Sequence, residues 1–208
     1  MLATLARIAI ELDTPHGPAR VHLEPVKRPV AALVLGHGAG GGVGAPDLVA
    51  AAGAARSHKV SVALVEQPYH VAGRRSPAPA RQLDAAWTAV VEQLREDQLA
   101  GLRLICGGRS AGARVACRTA AELEPAAVLC LAFPVHAPGK GDDPAKSRLP
   151  ELDAVKVPTL VVQGDRDPFG MPPSGPKNRT VVRISGDHAL RDGAAVADAV
   201  SNWLASTL

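Results

Sequence analysis

LRLICGGRSAGARVACRTAAEL, residues 102–123, decides how the rest of the chain is read. Leu102, Leu104, Ile105 and Cys106 make the continuous apolar run of a strand buried inside a sheet, while residues 113–123 have the small and apolar composition of a packed helix. Between them stands Gly107-Gly108-Arg109-Ser110-Ala111-Gly112. GxSxG is common by accident, but between a buried strand and a helix it is far more specific, because residues without Cβ relieve the crowding of a sharp turn. Such a turn pushes Ser110 out at the carboxyl edge of the sheet. The helix starting behind it aims the Ala111 N–H, and a dipole that favours negative charge, at any oxygen held beside Ser110. A phosphate cradle or a plain serine cap is the competing use of a Gly-rich helix start. GxxxxGK[ST] is absent and the turn is shorter than a P-loop, which disfavours the cradle.

Working outward, VAALVLGHG, VSVALVE from residue 60, AAVLCLAF from residue 126 and PTLVVQG from residue 158 repeat the buried-strand pattern, and RTVVRIS from residue 179 closes the series. Residues 6–13 and 19–24 are β-rich runs separated by Thr14-Pro15-His16-Gly17-Pro18, which predicts an antiparallel opening hairpin. Helical patterns lie between the later strands. Leu83, Trp87, Val90 and Leu94 form one stripe; Val196, Val200, Trp203 and Leu204 form another; an Ala-rich helix is expected from residue 46 to about 58, with Pro46 in its first turn. Alternating strands and helices predict an α/β fold, a mostly parallel central sheet with helices on both faces. Residues 134–150 and 168–176 are Pro-rich and read as loops, the first too short for a helical cap domain.

Length and composition fit one α/β domain over residues 1–208: 47% hydrophobic residues with 21% charge exclude an extended disordered chain. Aromatics at 2% leave no material for base-stacking platforms or a membrane-interface belt, and a net charge of +3 is too small and dispersed to call for nucleic acid. Cys106, Cys117 and Cys130 are odd in number, lack CxxC spacing and sit in apolar runs, so a reducing, cytoplasmic compartment is expected. Arg7 and Glu11 interrupt the first apolar stretch and no small-residue cleavage site follows, which disfavours secretion.

A serine hydroxyl is a weak nucleophile. It requires a base within hydrogen-bond reach, a carboxylate to orient that base, and a second donor for the oxyanion. His188, directly after the last strand, is the best-placed base, and its neighbour Asp187 is too close in sequence to orient it. Asp165 and Asp167 follow PTLVVQ at the same sheet edge; Asp167 is preferred, with Asp165 holding the turn through a side-chain to main-chain bond. The loop His37-Gly38-Ala39-Gly40-Gly41-Gly42 follows an earlier strand, and the Ala39 N–H is the expected partner of the Ala111 N–H. A dinucleotide-binding turn is disfavoured there, since no clean GxGxxG leads into a helix. Ser110, Asp167, His188 is the chain order of α/β-hydrolases rather than of chymotrypsin or subtilisin.

LGHGAGG, QPYHVAGRRSP, GGRSAGAR, AFPVHAPGK, VVQGDRDPFG and GDHAL, spread over residues 35–190, extend that likeness. The chain resembles the α/β-hydrolase superfamily, and within it the small group that includes bacterial dienelactone-hydrolase-like proteins, testis-expressed protein 30 and a subunit of the nonspecific-lethal chromatin complex. The resemblance implies an α/β-hydrolase fold with minimal or no cap and a triad of Ser110, Asp167 and His188, with the aspartate of the GxxDPFG segment as the acid. Dienelactone hydrolases proper carry cysteine at the turn where this chain has Ser110, and Cys106 lies back inside the strand, so the dienelactone substrate is not carried over.

Tyr69, His70, Arg74, Arg109, His37 and His136 are expected to border the crevice at the strand ends and to contact substrate. The arginines, with Lys140, are candidates for an anionic group; ion pairs with Asp142 and Asp143 are the competing use of these charges. His37, His70 and His136 lack any recognised metal-ligand spacing, so no metal and no cofactor is expected. The expected function is hydrolysis of a small ester or related acyl substrate through an acyl-enzyme, with thioesters and lactones open at this level. The alternative is a catalytically weak or inactive hydrolase-fold module that binds a partner protein. No nucleic-acid or membrane partner is expected, and oligomeric state is not legible in the sequence.

Overall fold

The computed structural model describes residues 8–137, 139–141, 143–175 and 177–208; residues 6 and 7 of the expected opening strand lie outside these, as do Pro138, Asp142 and Pro176. The apolar runs become eight strands among the described residues: β1 (Ile8–Leu12), β2 (Ala19–Glu24), β3 (Ala31–Gly36), β4 (Val60–Glu66), β5 (Leu104–Arg109), β6 (Ala127–Leu131), β7 (Thr159–Gly164) and β8 (Arg179–Ile184). They join in one sheet in the order β1-β2-β4-β3-β5-β6-β7-β8. β1 and β2 form the expected antiparallel hairpin, β2 pairs antiparallel with β4, and every later pairing is parallel.

The helices are α1 (Pro46–Ser57), α2 (Pro68–Val71), α3 (Ala80–Glu96), α4 (Ala111–Leu123), α5 (Leu149–Asp153) and α6 (Gly193–Thr207). Alternate strand residues feed two cores, as the two-residue repeat of a pleated strand requires. Ala32, Val34, Cys106, Val128 and Cys130 face α3, α4 and α5, where Trp87, Leu94, Val115, Leu123 and Leu152 are buried. Leu33, Leu35, Ile105, Leu129 and Leu131 face α1 and α6, where Leu48, Ala55, Val200 and Leu204 are buried. The Ala-rich face of α1 is what lets α1 and α6 lie against the sheet together.

Residues 134–150 are less irregular than expected. Their described residues include a 3-10 turn at Pro144–Lys146 and run into α5, whose Pro150 occupies a permitted first-turn position. Leu152 buries, and Arg114 Nε donates to Glu151 Oε2 at 2.8 Å, while Arg118 Nε donates to Asp84 Oδ2 at 2.8 Å. These pairs tie α3, α4 and α5 together, so the segment ends against α4, and its described residues form no helical cap. No helix of the described residues is long and apolar enough to cross a membrane.

The strand order reverses beside β3: the chain moves outward to β4 and returns to β5 on the other side. Open α/β sheets bind ligands at the carboxyl ends of strands flanking such a reversal. Here Gly36, the last residue of β3, stands opposite Gly108 of β5.

Candidate active site

Ser110 sits between β5 and α4 with φ 52° and ψ −107°, a left-handed conformation that a residue with a Cβ rarely adopts. The surrounding glycines are obligatory. A Cβ on Gly108 would stand 2.5 Å from the Gly36 carbonyl oxygen, and one on Gly112 would collide with the same oxygen. The turn is further fixed by the Ser110 N–H, which donates to the Leu131 carbonyl at the end of β6 at 2.9 Å.

The Ser110 hydroxyl donates to His188 Nε2 at 2.9 Å, and His188 Nδ1–H donates to Asp167 Oδ2 at 2.8 Å. The carboxylate acceptor fixes the tautomer, leaving Nε2 free to receive the serine proton. Asp167 is held by two more donors: Gln163 Nε2 reaches Oδ2 at 2.8 Å and the Phe169 N–H reaches Oδ1 at 2.8 Å. Gln163 is fully buried, and its amide nitrogen also faces the carbonyls of Phe133 and Gly170. The Phe169 ring lies on the His188 ring with centroids 4.1 Å apart. Sequence reasoning missed Gln163 and Phe169; both lie inside the VVQGDRDPFG segment, four and two residues from Asp167 respectively, which was the available signal.

Asp165 accepts from the Gly186 N–H at 2.9 Å and does not touch His188. Its bond is side chain to main chain, as expected, but it reaches across to the next loop rather than closing its own turn. Asp187 accepts from the Ala189 N–H at 2.9 Å, a bond that lowers its carboxyl pKa below the ordinary value.

Ala39 and Ala111 lie in the turn after β3 and at the first position of α4. Neither N–H donates to an acceptor among the described residues. Tyr69 Oη donates to the Ala39 carbonyl at 3.0 Å, which holds that turn. Burial pushes the Tyr69 phenol up to about 12.

Two residues expected to contact substrate are occupied elsewhere. The first is His37, almost fully buried: Nδ1–H donates to the Gly38 carbonyl at 2.8 Å, and Nε2 accepts from the Gln67 N–H at 3.1 Å. With both nitrogens used, the ring pins the loop rather than facing substrate, and burial lowers its pKa. The second is Arg109. Its Nε stands 2.8 Å from Asp47 Oδ2 and its Nη2 donates to the His188 carbonyl at 3.0 Å, so its charge is already partnered and no anion site is open there. Asp47 is fully buried in the first turn of α1; burial holds its carboxyl pKa above the ordinary value, with Arg109 offsetting part of the rise.

The other expected contacts are dispersed. His70 meets His37 at a tilt of 51° with ring centroids 4.7 Å apart and packs against Gly42, with Nδ1 3.6 Å from Glu66 Oε2. His136 donates from Nδ1 to the Ala137 carbonyl at 2.8 Å, and its N–H joins the Phe169 carbonyl at 3.1 Å, linking the loops after β6 and β7. Arg74 is exposed and lines a cleft with His16 and Gln82. Asp143 pairs with Lys146 at 2.8 Å. Among the described residues no group of three or more His, Cys, Asp or Glu side chains is arranged to hold a metal ion. Cys106 is buried below the turn, and burial pushes its thiol up to about 12, far from a reactive thiolate.

Taken together, a strained serine, an imidazole and a buried carboxylate lie in hydrogen-bond series at the reversal of strand order. The alpha/beta hydrolase domain family matches residues 29–193, most of the chain. The chain belongs to the α/β-hydrolase family. No curated protein matches this α/β-hydrolase, but solved structures do. An α/β serine hydrolase without lid from Xanthomonas campestris is 23% identical with a TM-score of 0.77, covering 100% of this chain and 98% of its own. Dienelactone hydrolase from Anabaena variabilis is 17% identical with a TM-score of 0.77 over 97% of both chains. Est1E from Butyrivibrio proteoclasticus is 16% identical with a TM-score of 0.73, over 96% of this chain and 98% of its own. At these identities the likeness is one of fold.

Proposed function

We propose that this protein is a serine hydrolase that cleaves small esters or related acyl compounds through an acyl-enzyme. The observation that carries the reading is the unbroken series Ser110 Oγ, His188 Nε2, His188 Nδ1, Asp167 Oδ2, at 2.9 and 2.8 Å. Ser110 Oγ attacks the acyl carbonyl while His188 Nε2 takes its proton. The oxyanion of the tetrahedral adduct is met by the N–H groups of Ala39 and Ala111, each such donor contributing about 3 kcal/mol to transition-state stabilisation. Collapse breaks the bond to the leaving group, which receives the proton from His188. Water, deprotonated by the same imidazole, then attacks the Ser110 ester, the acid departs and the serine recovers its proton. Asp167 holds the tautomer and faces the imidazolium formed in both halves.

The proposed kinship within the family is with dienelactone-hydrolase-like proteins, testis-expressed protein 30 and the chromatin-complex subunit, supported by the order of the six segments from LGHGAGG to GDHAL. Three free, buried cysteines favour a cytoplasmic site of action. Replacing Ser110 by Ala is expected to lower turnover of a short-chain p-nitrophenyl ester by roughly four to six decades. Equal rates in both proteins would remove the nucleophile and leave a fold used for partner binding.

A further inference from the structure

Arg109 immediately precedes Ser110, and its guanidinium meets three separate stretches of chain. Nε pairs with Asp47 of α1 at 2.8 Å, and Nη2 donates to the His188 carbonyl at 3.0 Å. Nη1 lies so close over Gly38 that a Cβ there would stand 2.8 Å from it. Those stretches carry the loop with Ala39, the helix behind that loop, and the imidazole. Asp47 is completely buried and Arg109 is 18% exposed at its side chain. A buried ion pair is a poor source of stability, because the desolvation of both charges offsets their attraction; its use lies in the fixed geometry it imposes. Arginine suits this task because its planar fork holds several partners at set angles, which a lysine ammonium does not.

We infer that Arg109 is a positioning residue: anchored on Asp47, it fixes the His188 main chain and the Gly38–Ala39 turn relative to Ser110. The inference rests on the serine-hydrolase reading for its kinetic consequences, but the strut itself can be read without turnover. Arg109 acts through His188 and the turn rather than on substrate.

Arg109→Lys keeps a cation beside Asp47 and loses the fork. It is expected to lower kcat on the order of 100-fold, the scale of a slightly misplaced reacting group, with KM changed less than about threefold. The loss should be equal for p-nitrophenyl acetate and for the carboxylate-bearing mono-p-nitrophenyl succinate. A loss confined to the anionic ester would make Arg109 a substrate anchor and overturn the inference, as would an unchanged kcat. Asp47→Leu combined with Arg109→Met removes both charges without stranding either; it should stay folded and show the same kcat loss for both esters, and wild-type kcat in this pair would also overturn the strut. In a Ser110→Ala background, the His188 Nδ1 proton held by Asp167 should give a slowly exchanging, far-downfield NMR signal that Arg109→Lys broadens or shifts. An unaltered signal contradicts the inference. If the wild-type protein hydrolyses no ester, the serine-hydrolase reading fails, and this spectrum alone decides the strut.

Discussion

At the scale of the residue, His37 makes a prediction opposite in kind to its sequence assignment. Read from the sequence, a histidine on a Gly-rich loop at the sheet edge is a substrate contact; in the fold its two ring nitrogens are consumed by Gly38 and Gln67. Burial lowers its pKa from the ordinary 6.5, so the unfolded chain binds a proton that the native protein refuses. The His37 contribution is therefore fully present above 6.5 and is lost as pH falls from that value toward the lower native pKa. Thermal unfolding followed from pH 8 to pH 5 should show wild-type Tm falling relative to a His37→Asn variant; parallel curves would contradict the burial argument. Arg109 differs from its sequence expectation for a related reason. An arginine next to a nucleophile signals charge, but only the tertiary structure shows that Asp47, sixty-two positions earlier, already neutralises it. Ser110, Asp167 and His188 were legible because each comes within four residues of the end of a strand, β5, β7 or β8, so their chain positions already implied a common edge.

The elements themselves were written plainly. A buried parallel strand must be continuously apolar, and β4 matches its sequence run residue for residue. What escaped was short: α2 buries only Pro68 and Tyr69 and α5 only Leu152, too little periodicity to register. The contact between α3 and the sheet supplies a stability test. Trp87 is 1% exposed, and its ring lies where a Cβ on Gly36 would stand 3.3 Å from it. Trp87→Ala should cost about 3–5 kcal/mol, read from the midpoint of urea unfolding. The turn at Ser110 offers a second test at this scale. Gly108→Ala forces a methyl group against the Gly36 carbonyl and should destabilise by about 1–3 kcal/mol while reducing turnover, because β3 and β5 must separate at the point where they frame the site. A Gly108→Ala protein with native stability and activity would show that this close approach is not required.

At the scale of the whole molecule, the described residues supply no helical cap over the carboxyl edge, and α5, where the segment after β6 ends, is tied to α4 by Glu151. A site without a lid has no apolar cover for a long chain, so short acyl esters should be preferred to long ones, and activity should not rise at a lipid–water interface. A panel of p-nitrophenyl esters of increasing chain length checks this, and high activity on long chains alone would contradict it. The central claim, that Ser110 is a nucleophile activated by His188 and Asp167, is tested most directly by intact-mass and peptide analysis after treatment with a fluorophosphonate. A single adduct on Ser110, formed in the wild-type protein and lost in His188→Ala, is the predicted result; an unmodified protein, or labelling of Ser110 that proceeds equally without His188, would contradict it.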